Sequence, residues 1–381
     1  MNILHIYKDY YPILGGIENH VRVLAEAGAA RGHAVSVLVT SRDRRTRREE
    51  LNGVQVIKTA RWVNVSSAPI IPAMFREARK LGRTADIIHL HFPYPPGEMA
   101  RLFSGSRAKT IMTYHSDIVR QKLLRVVYQP FLWRVLRRAD RIIATSGRYI
   151  DTSPYLSQFK SKCSIIPLGA DVTQFAQVKP RIVTDLRSNL QLYGSTSGET
   201  PRFVLLSVGR LRYYKGLDDL IRALQQIPNA KYVIVGDGPM ADEWECLARS
   251  VGVADRVFFA GAVGDAELPY YYAACDLFVL PANARAEAFG TVIVEALAAG
   301  KPVISTEVGT GTSWVNVHGQ TGLVVPPHDP PALAEAINQL LSDERRREQM
   351  GRAALTRAYE EFTVERMIDR VYAEYDRLLR L

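Results

Sequence analysis

A chain of 381 residues exceeds what one hydrophobic core holds and predicts two domains of about 150–200 residues each. Its 47% hydrophobic and 23% charged residues are those of an ordinary soluble globular protein. The three scattered cysteines, Cys163, Cys246 and Cys275, make neither a zinc pattern nor a disulfide framework and read as structural thiols of a reducing cytoplasm. The net charge of +10 is uneven: residues 1–170 hold 27 Lys+Arg against 12 Asp+Glu, net +15, and residues 171–381 hold 22 against 27, net −5. A basic half of this kind implies an anionic partner, whether nucleic acid, an anionic membrane surface or a diphosphate-bearing lipid acceptor. The opening MNILHIYKDYYP has too short an apolar run for a signal peptide, and no run elsewhere approaches the roughly 20 residues of a spanning helix.

In chain order, residues 2–7 predict a buried parallel strand, 10–16 a turn-rich loop, 18–31 a helix ended by Gly32-His33, and 34–40 a second buried strand. Strand, glycine loop, helix, strand is the βαβ unit of a doubly wound sheet. Gly15 and Gly16 at the strand-to-helix switch let a phosphate approach bare backbone; the plain alternative is a tight turn. Residues 42–50 (RDRRTRREE) are a charge run expected as a solvated, mobile loop. Residues 54–59 make a third strand, 62–72 an irregular linker with Pro69 and Pro72, 74–81 a short helix, and 86–92 a fourth strand ending in the loop 93–96. His89 and His91 alternate on that strand, but no third ligand stands at a metal-binding spacing, so they read as core or cleft histidines.

Residues 108–113 are a fifth strand, followed at once by Tyr114-His115-Ser116-Asp117. Loops at the carboxyl ends of parallel strands are where such folds bind ligands. Ser116 is a sound N-cap for a helical stretch running to about residue 138, kinked or broken at Pro130, and His115 just before it would project into a cleft. Along that stretch Arg120, Lys122, Arg125, Arg134, Arg137 and Arg138 interleave with leucines and Phe131. The pattern fits an interfacial helix on anionic lipid as well as an ordinary helix packed inward. Residues 141–146 and 164–168 add strands six and seven with a helix between, and 173–201, with no strong period and a Gly-Ser-Thr-Ser-Gly run at 194–198, mark a boundary.

Residues 203–208 open the second domain as a buried strand, ending in a loop that carries Arg210 and Lys215. Two cations on one strand-to-helix loop can hold a diphosphate, the arginine bidentately; surface salt-bridging is the plain alternative. Strands at 232–235 and 257–259 lead to the turns Gly236-Asp237-Gly238-Pro239 and Gly261-Ala262-Val263, and a strand at 276–280 feeds the loop 284–287. From Gly290 a helix presents Ile293, Val294, Leu297 and Ala298 on one apolar face; Gly300 suits a left-handed cap and Pro302 stops it. A strand at 301–306, the loop Val308-Gly309-Thr310-Gly311, a strand at 322–325, a helix from Ala332 and a last amphipathic helix at about 364–379 complete the chain. Glu287 just before the 290s helix and Glu295 inside its apolar run are carboxylates that need partners, which sugar hydroxyls can supply. The helix N-terminus at Phe289 and Gly290 suits a phosphate.

The spacing Glu287-x7-Glu295, set among the words EAFG, EALAAGKPVI and TGLVVP, resembles the retaining glycosyltransferases of family 4. The resemblance covers nearly the whole chain, is strongest over 203–326 and is loosest over 40–105, where acceptor recognition varies. It implies the α/β GT-B fold, two Rossmann-like doubly wound parallel-sheet domains facing across a cleft. Residues 1–175 would be the acceptor-side domain, with the C-terminal helix of about 364–381 packing back on it, 176–200 the linker, and 201–363 the nucleotide-sugar-binding domain.

By this resemblance the catalytic residues are Glu287, His115, Arg210 and Lys215. Glu287 would bind the hexose and steady positive charge at the anomeric carbon, His115 would contact the donor sugar, and Arg210 with Lys215 would hold the diphosphate. Gly15, Gly16, Phe289 and Gly290 would complete the diphosphate site, Glu295 would accept from the ribose hydroxyls, and Val263 would lie beside the base. The anomeric configuration would be kept, with the leaving phosphate taking the acceptor's proton. No Asp-x-Asp motif stands at a strand end, so no metal and no cofactor are expected.

The opening HIYKDYYPILGGIE is similar to bacterial enzymes that build surface polysaccharides on a lipid carrier, some of them using GDP-mannose. This favours GDP-mannose ahead of a UDP-sugar, a lipid-linked or polysaccharide acceptor in cell-envelope glycan synthesis, and a cytoplasmic protein in peripheral contact with the anionic inner membrane face through residues 1–170. A GT-B relative with phosphorylase or epimerase chemistry is the alternative, but no cofactor lysine or free-phosphate site can be located. Two-carboxylate hydrolysis is disfavoured because a glutamate buried inside a helix cannot easily flank an exposed bond. Zinc, RRM and interleaved stacking-aromatic patterns are absent, so no nucleic-acid partner is expected.

Overall fold

A computed structural model describes residues 1–13, 15–41, 43–61, 63–65, 68–117, 122–192 and 201–380. The run at 194–198, Arg120, and the side chains of Lys122 and Arg125 lie outside the described residues. The chain divides into two compact units, Met1–Leu168 with Val364–Leu381, and Gly169–Thr363.

The first unit begins with β1 (Asn2–Ile6), α1 (Gly16–Ala30), β2 (Ala34–Thr40), β3 (Arg47–Leu51), β4 (Val54–Thr59) and the small hairpin β5 (Val63–Val65) and β6 (Ala68–Ile70). It continues through α2 (Pro72–Leu81), β7 (Ile87–Phe92), α3 (Pro95–Phe103), β8 (Lys109–Tyr114), α4 (Lys122–Arg138), β9 (Arg141–Ala144), α5 (Gly147–Thr152) and β10 (Cys163–Ile165). Eight strands form one sheet in the order β10-β9-β8-β7-β1-β2-β4-β3. All pairs are parallel except β3 with β4. Every residue of β7 is buried, as expected of a central strand covered on both faces.

Four expectations are corrected here. The charge run at 42–50 is not a loop throughout: Arg47–Leu51 is an antiparallel edge strand. Its charges suit an edge, where they discourage pairing with another chain, and Glu49 forms an ion pair with Lys58 on β4. The irregular linker at 62–72 holds the β5–β6 hairpin, and Pro72 opens α2 instead of ending a loop. Pro95 likewise opens α3, where the loop 93–96 was expected. In α4 the chain runs through Pro130 as one helix, with Leu132, Val135 and Leu136 buried while Arg134, Arg137 and Arg138 face outward. The second half of α4 therefore packs Leu132, Val135 and Leu136 into the core, while Phe131 and Trp133 stay partly exposed.

The second unit comprises α6 (Pro180–Leu192), β11 (Phe203–Val208), α7 (Leu217–Ala223), β12 (Ala230–Val235), α8 (Ala241–Ser250), β13 (Val257–Gly261), α9 (Leu268–Ala274) and β14 (Leu277–Leu280). After these come α10 (Thr291–Ala298), β15 (Val303–Thr306), α11 (Thr312–Val315), β16 (Gly322–Val325), α12 (Pro330–Ser342) and α13 (Glu344–Glu361). Its sheet is wholly parallel, ordered β13-β12-β11-β14-β15-β16, and Leu205, Leu220, Ile234, Leu277, Leu333 and Ile337 belong to its core. The 176–200 stretch, expected as a patternless linker, contains α6. Arg187 secures that helix by donating to the Ala274 carbonyl at 2.7 Å and pairing with Asp276 at 2.8 Å, contacts no local period reveals.

The last helix, α14 (Val364–Arg380), belongs to the first unit. Met367, Ile368, Val371, Tyr372, Tyr375 and Leu378 form its buried face, and the Tyr372 hydroxyl donates to the Leu24 carbonyl at 3.0 Å. No described helix is long and apolar enough to cross a membrane.

Candidate active site

In the second unit the loops leaving β11, β12 and β14 meet backbone to backbone. Leu211 N–H donates to the Asp237 carbonyl at 2.9 Å and Asn283 N–H to the Tyr214 carbonyl at 3.0 Å. Gly236, at φ 130°, lies so close to the first loop that a Cβ there would stand 2.0 Å from the Gly209 carbonyl oxygen. This close fit brings the end of one loop against the middle of another. Lys215, closing a 3-10 turn at Tyr213–Lys215, points its ammonium at Glu287, 2.8 Å away. Both residues are only 8% exposed. Arg210, on the same loop as Lys215, is exposed, so the structure joins Lys215 to a carboxylate and leaves its sequence companion in solvent.

Glu287 is held by its backbone: the Thr310 hydroxyl donates to its carbonyl at 2.7 Å, and Gly311 N–H donates to the neighbouring Ala288 carbonyl at 2.8 Å. Phe289 is buried, and Gly290, at φ 78°, turns the chain into α10 with no side chain capping the helix. On α10 the Glu295 carboxylate accepts from the Tyr272 hydroxyl at 2.7 Å. Desolvation raises its pKa to about 7, against the pull of that hydrogen bond and of the Lys215 charge. Glu295 is half-exposed as a residue, yet its carboxyl is packed closely enough for burial to dominate. Val263 is half-buried on the loop after β13. Tyr272 was not singled out in the sequence; among Tyr270, Tyr271 and Tyr272 nothing local marks the one that reaches Glu295.

In the first unit, Gly15 has extended backbone (φ −178°), and a Cβ there would meet the Glu18 carboxylate at 2.2 Å. A Cβ on Gly16 would meet nothing within 4 Å, so space is open at the first residue of α1. Asp117 is engaged by the Tyr114 and Ser153 hydroxyls at 2.8 and 3.0 Å. His115 is buried, its Nε2 3.3 Å from His91 Nδ1 and its ring edge-on to His20. Desolvation first, then the neighbouring His20, holds it neutral. The expectation that His89 and His91 lack a third ligand is corrected: His5, His20 and His115 stand beside them. Sheet register brings His5, His89, His91 and His115 together and α1 adds His20, which local spacing cannot show.

Two Rossmann-like units of this kind make up the GT-B fold, and comparison with known proteins supplies the class. Residues 14–174 match the family described as Glycosyltransferase Family 4, and residues 195–357 match Glycosyl transferases group 1. The chain is 36% identical over 364 residues to the D-rhamnosyltransferase WbpZ of Pseudomonas aeruginosa, covering 95% of this chain and 92% of the relative. It is 34% identical over 380 residues to O-antigen chain mannosyltransferase C of Escherichia coli, covering 100% and 99%. Among solved structures, sucrose-phosphate synthase of Thermosynechococcus elongatus superposes with a TM-score of 0.77 at 25% identity, covering 100% of this chain and 99% of the other. The chain belongs to the family 4 glycosyltransferases.

Proposed function

We propose that this enzyme moves a hexose from a nucleoside-diphosphate sugar, GDP-mannose ahead of a UDP-sugar, to a lipid-linked or polysaccharide acceptor in cell-envelope glycan synthesis. The observation that carries the reading is the buried Lys215–Glu287 pair at the carboxyl ends of the second sheet, one turn of chain away from the uncapped start of α10. An ammonium has three donors; with one aimed at Glu287, two remain for diphosphate oxygens. Lys215 and Arg210 would neutralise the departing diphosphate together with backbone N–H groups at Phe289, Gly290 and Gly16. Such a cationic site does the work a divalent ion does elsewhere, so transfer needs no metal. Glu287 would bind the hexose and steady the positive anomeric carbon, His115 would touch the same sugar, Glu295 would accept from the ribose, and Val263 would flank the base. The configuration is retained, with the leaving phosphate taking the acceptor's proton.

The choice of mannose and of an envelope glycan draws on the relative named as an O-antigen chain mannosyltransferase. Peripheral contact of residues 1–170 with an anionic membrane face rests on their net charge of +15. A thermal-shift screen against GDP, UDP, ADP and their sugars, with and without EDTA, tests the reading. A nucleotide at hundredfold excess over its dissociation constant should add about 2.7 kcal/mol. Stabilisation by GDP that EDTA leaves intact is expected. Silence toward every nucleotide would overturn the donor site, and loss of the shift in EDTA would overturn metal independence.

A further inference from the structure

Five histidines share one buried group in the first unit, and the transfer reaction uses only one of them. His5 on β1 stands opposite His89 on β7, His91 lies two residues further along the same face, and His115 follows β8 directly. From α1, His20 sits edge-on to both His91 and His115, its ring centre 5.6 and 5.0 Å from theirs. None of the five is more than 7% exposed.

Four of these rings have hydrogen-bond partners. His89 is held on both sides, by the Tyr375 hydroxyl at Nδ1 (2.5 Å) and by Thr113 Oγ1 at Nε2 (2.7 Å). His5 Nδ1 pairs with His91 Nε2 at 3.1 Å, and His91 Nδ1 with His115 Nε2 at 3.3 Å. His20 is different. Among the described residues neither of its ring nitrogens has a hydrogen-bond partner, although both are buried. A buried polar group left unpaired calls for an explanation, and an absent ion is one.

We propose that His20, His91 and His115 form a binding site for a divalent transition-metal ion of the zinc type, with one ring nitrogen from each as ligand. Their ligand atoms all lie within 4.8 Å of one another. Tetrahedral zinc with Zn–N bonds of about 2.0–2.1 Å sets its nitrogens about 3.3–3.4 Å apart. His91 Nδ1 and His115 Nε2 already have that separation, so the closing movement falls to His20, which no hydrogen bond restrains. With Nδ1 on the metal, His91 carries its proton on Nε2 and donates it to His5 Nδ1, the outer hydrogen bond that metal-bound imidazoles use to fix their orientation. Burial lowers His20 to about 4 and holds His91 and His115 well below the ordinary imidazole range, so lone pairs are available at neutral pH. The neighbouring trio His5, His89 and His91 meets the same spacing, but a metal there would displace a partner of His89. Three imidazoles leave a fourth position open, as in zinc sites that exchange a ligand. Because His115 is also assigned to the donor sugar, the ion would compete with substrate and inhibit; that consequence rests on the proposed function, whereas the binding does not.

The test is titration of the tag-free full chain with Zn2+, by calorimetry and by competition with a chromophoric chelator, and with Co2+ as a spectroscopic reporter. One equivalent of Zn2+ is expected, Co2+ should show the visible bands of a tetrahedral site without thiolate charge transfer, and His20→Gln should weaken Zn2+ binding at least tenfold. His20 has no hydrogen bond to lose, so the variant should melt like the parent in EDTA. The site is refuted if the parent binds no stoichiometric Zn2+. It is equally refuted if His20→Gln binds as tightly, which would place the ion on exposed groups such as Cys246 or His318. Should the variant fail to fold, the cobalt spectrum of the parent still decides, since sulfur ligation or octahedral bands contradict a three-imidazole site. The nucleotide screen, run on metal-free protein, reports on the donor site independently.

Discussion

Replacing Glu295 with glutamine should stabilise the enzyme at alkaline pH and weaken its hold on nucleotide. The carboxyl is displaced from its ordinary 4.5 to about 7, chiefly by desolvation. A folded-state pKa above the unfolded one means that the folded chain binds the extra proton, so stability falls as pH rises through the window from about 4.5 to 7 and is level above it. At about 1.36 kcal/mol per pH unit the full penalty is about 3 kcal/mol, and nearer about 2 once water around the half-exposed side chain is allowed for. Glutamine keeps a carbonyl for the Tyr272 hydroxyl and carries no charge. At roughly 2–4 °C per kcal/mol for a unit of this size, the variant should melt about 4–10 °C above the parent at pH 8, with the gap closing toward pH 4.5. Thermal unfolding of both proteins across that range reads it. A gap that is constant with pH, or a parent that is the more stable at pH 8, would refute the assignment of the cost to a buried carboxylate. The same variant should lose affinity for nucleotide at pH 8 if Glu295 serves the ribose, and equal affinity would remove it from the donor site.

Two further predictions follow from the same loops. Lys215→Ala should destabilise by about 3–5 kcal/mol because it strands the buried Glu287 carboxylate, while the double change Lys215→Met with Glu287→Leu should cost much less, which denaturant unfolding of the cycle measures; turnover by Lys215→Ala or Glu287→Ala should fall by several orders of magnitude, and near-normal rates would exclude the residue. Gly236→Ala should destabilise by at least about 2 kcal/mol, because its φ of 130° and a Cβ 2.0 Å from the Gly209 oxygen are both intolerable, whereas Gly264→Ala, with nothing within 4 Å, should change the melting temperature little.

Much of the sheet was readable because a buried parallel strand is an unbroken apolar run. Residues 34–40, 54–59, 203–208 and 322–325 match their strands to the residue. Glycines at 290 and 300 sit where the chain turns left-handed, as their places beside a helix require. Where the physics was not local, the reading failed. RREEL at 47–51 has no apolar alternation, and becomes a strand only because β4 offers it an edge. Residues 180–192 look like linker until Asp276, from another strand end, gives Arg187 a partner.

The sequence by itself determined the alternation of strands and helices, the glycine turns and the vocabulary of the family, since each is written in residues close along the chain. Tertiary structure alone decided which buried polar group answers which: Lys215 with Glu287, Tyr272 with Glu295, and His20 with neither nitrogen paired. The reason is topological. Lys215 and Glu287 follow β11 and β14, which pair in the sheet although β12 and β13 lie between them in the chain. Tyr272 and Glu295 stand on α9 and α10, and β7 pairs with β1 far from it in sequence, so these partners cannot be read from local spacing.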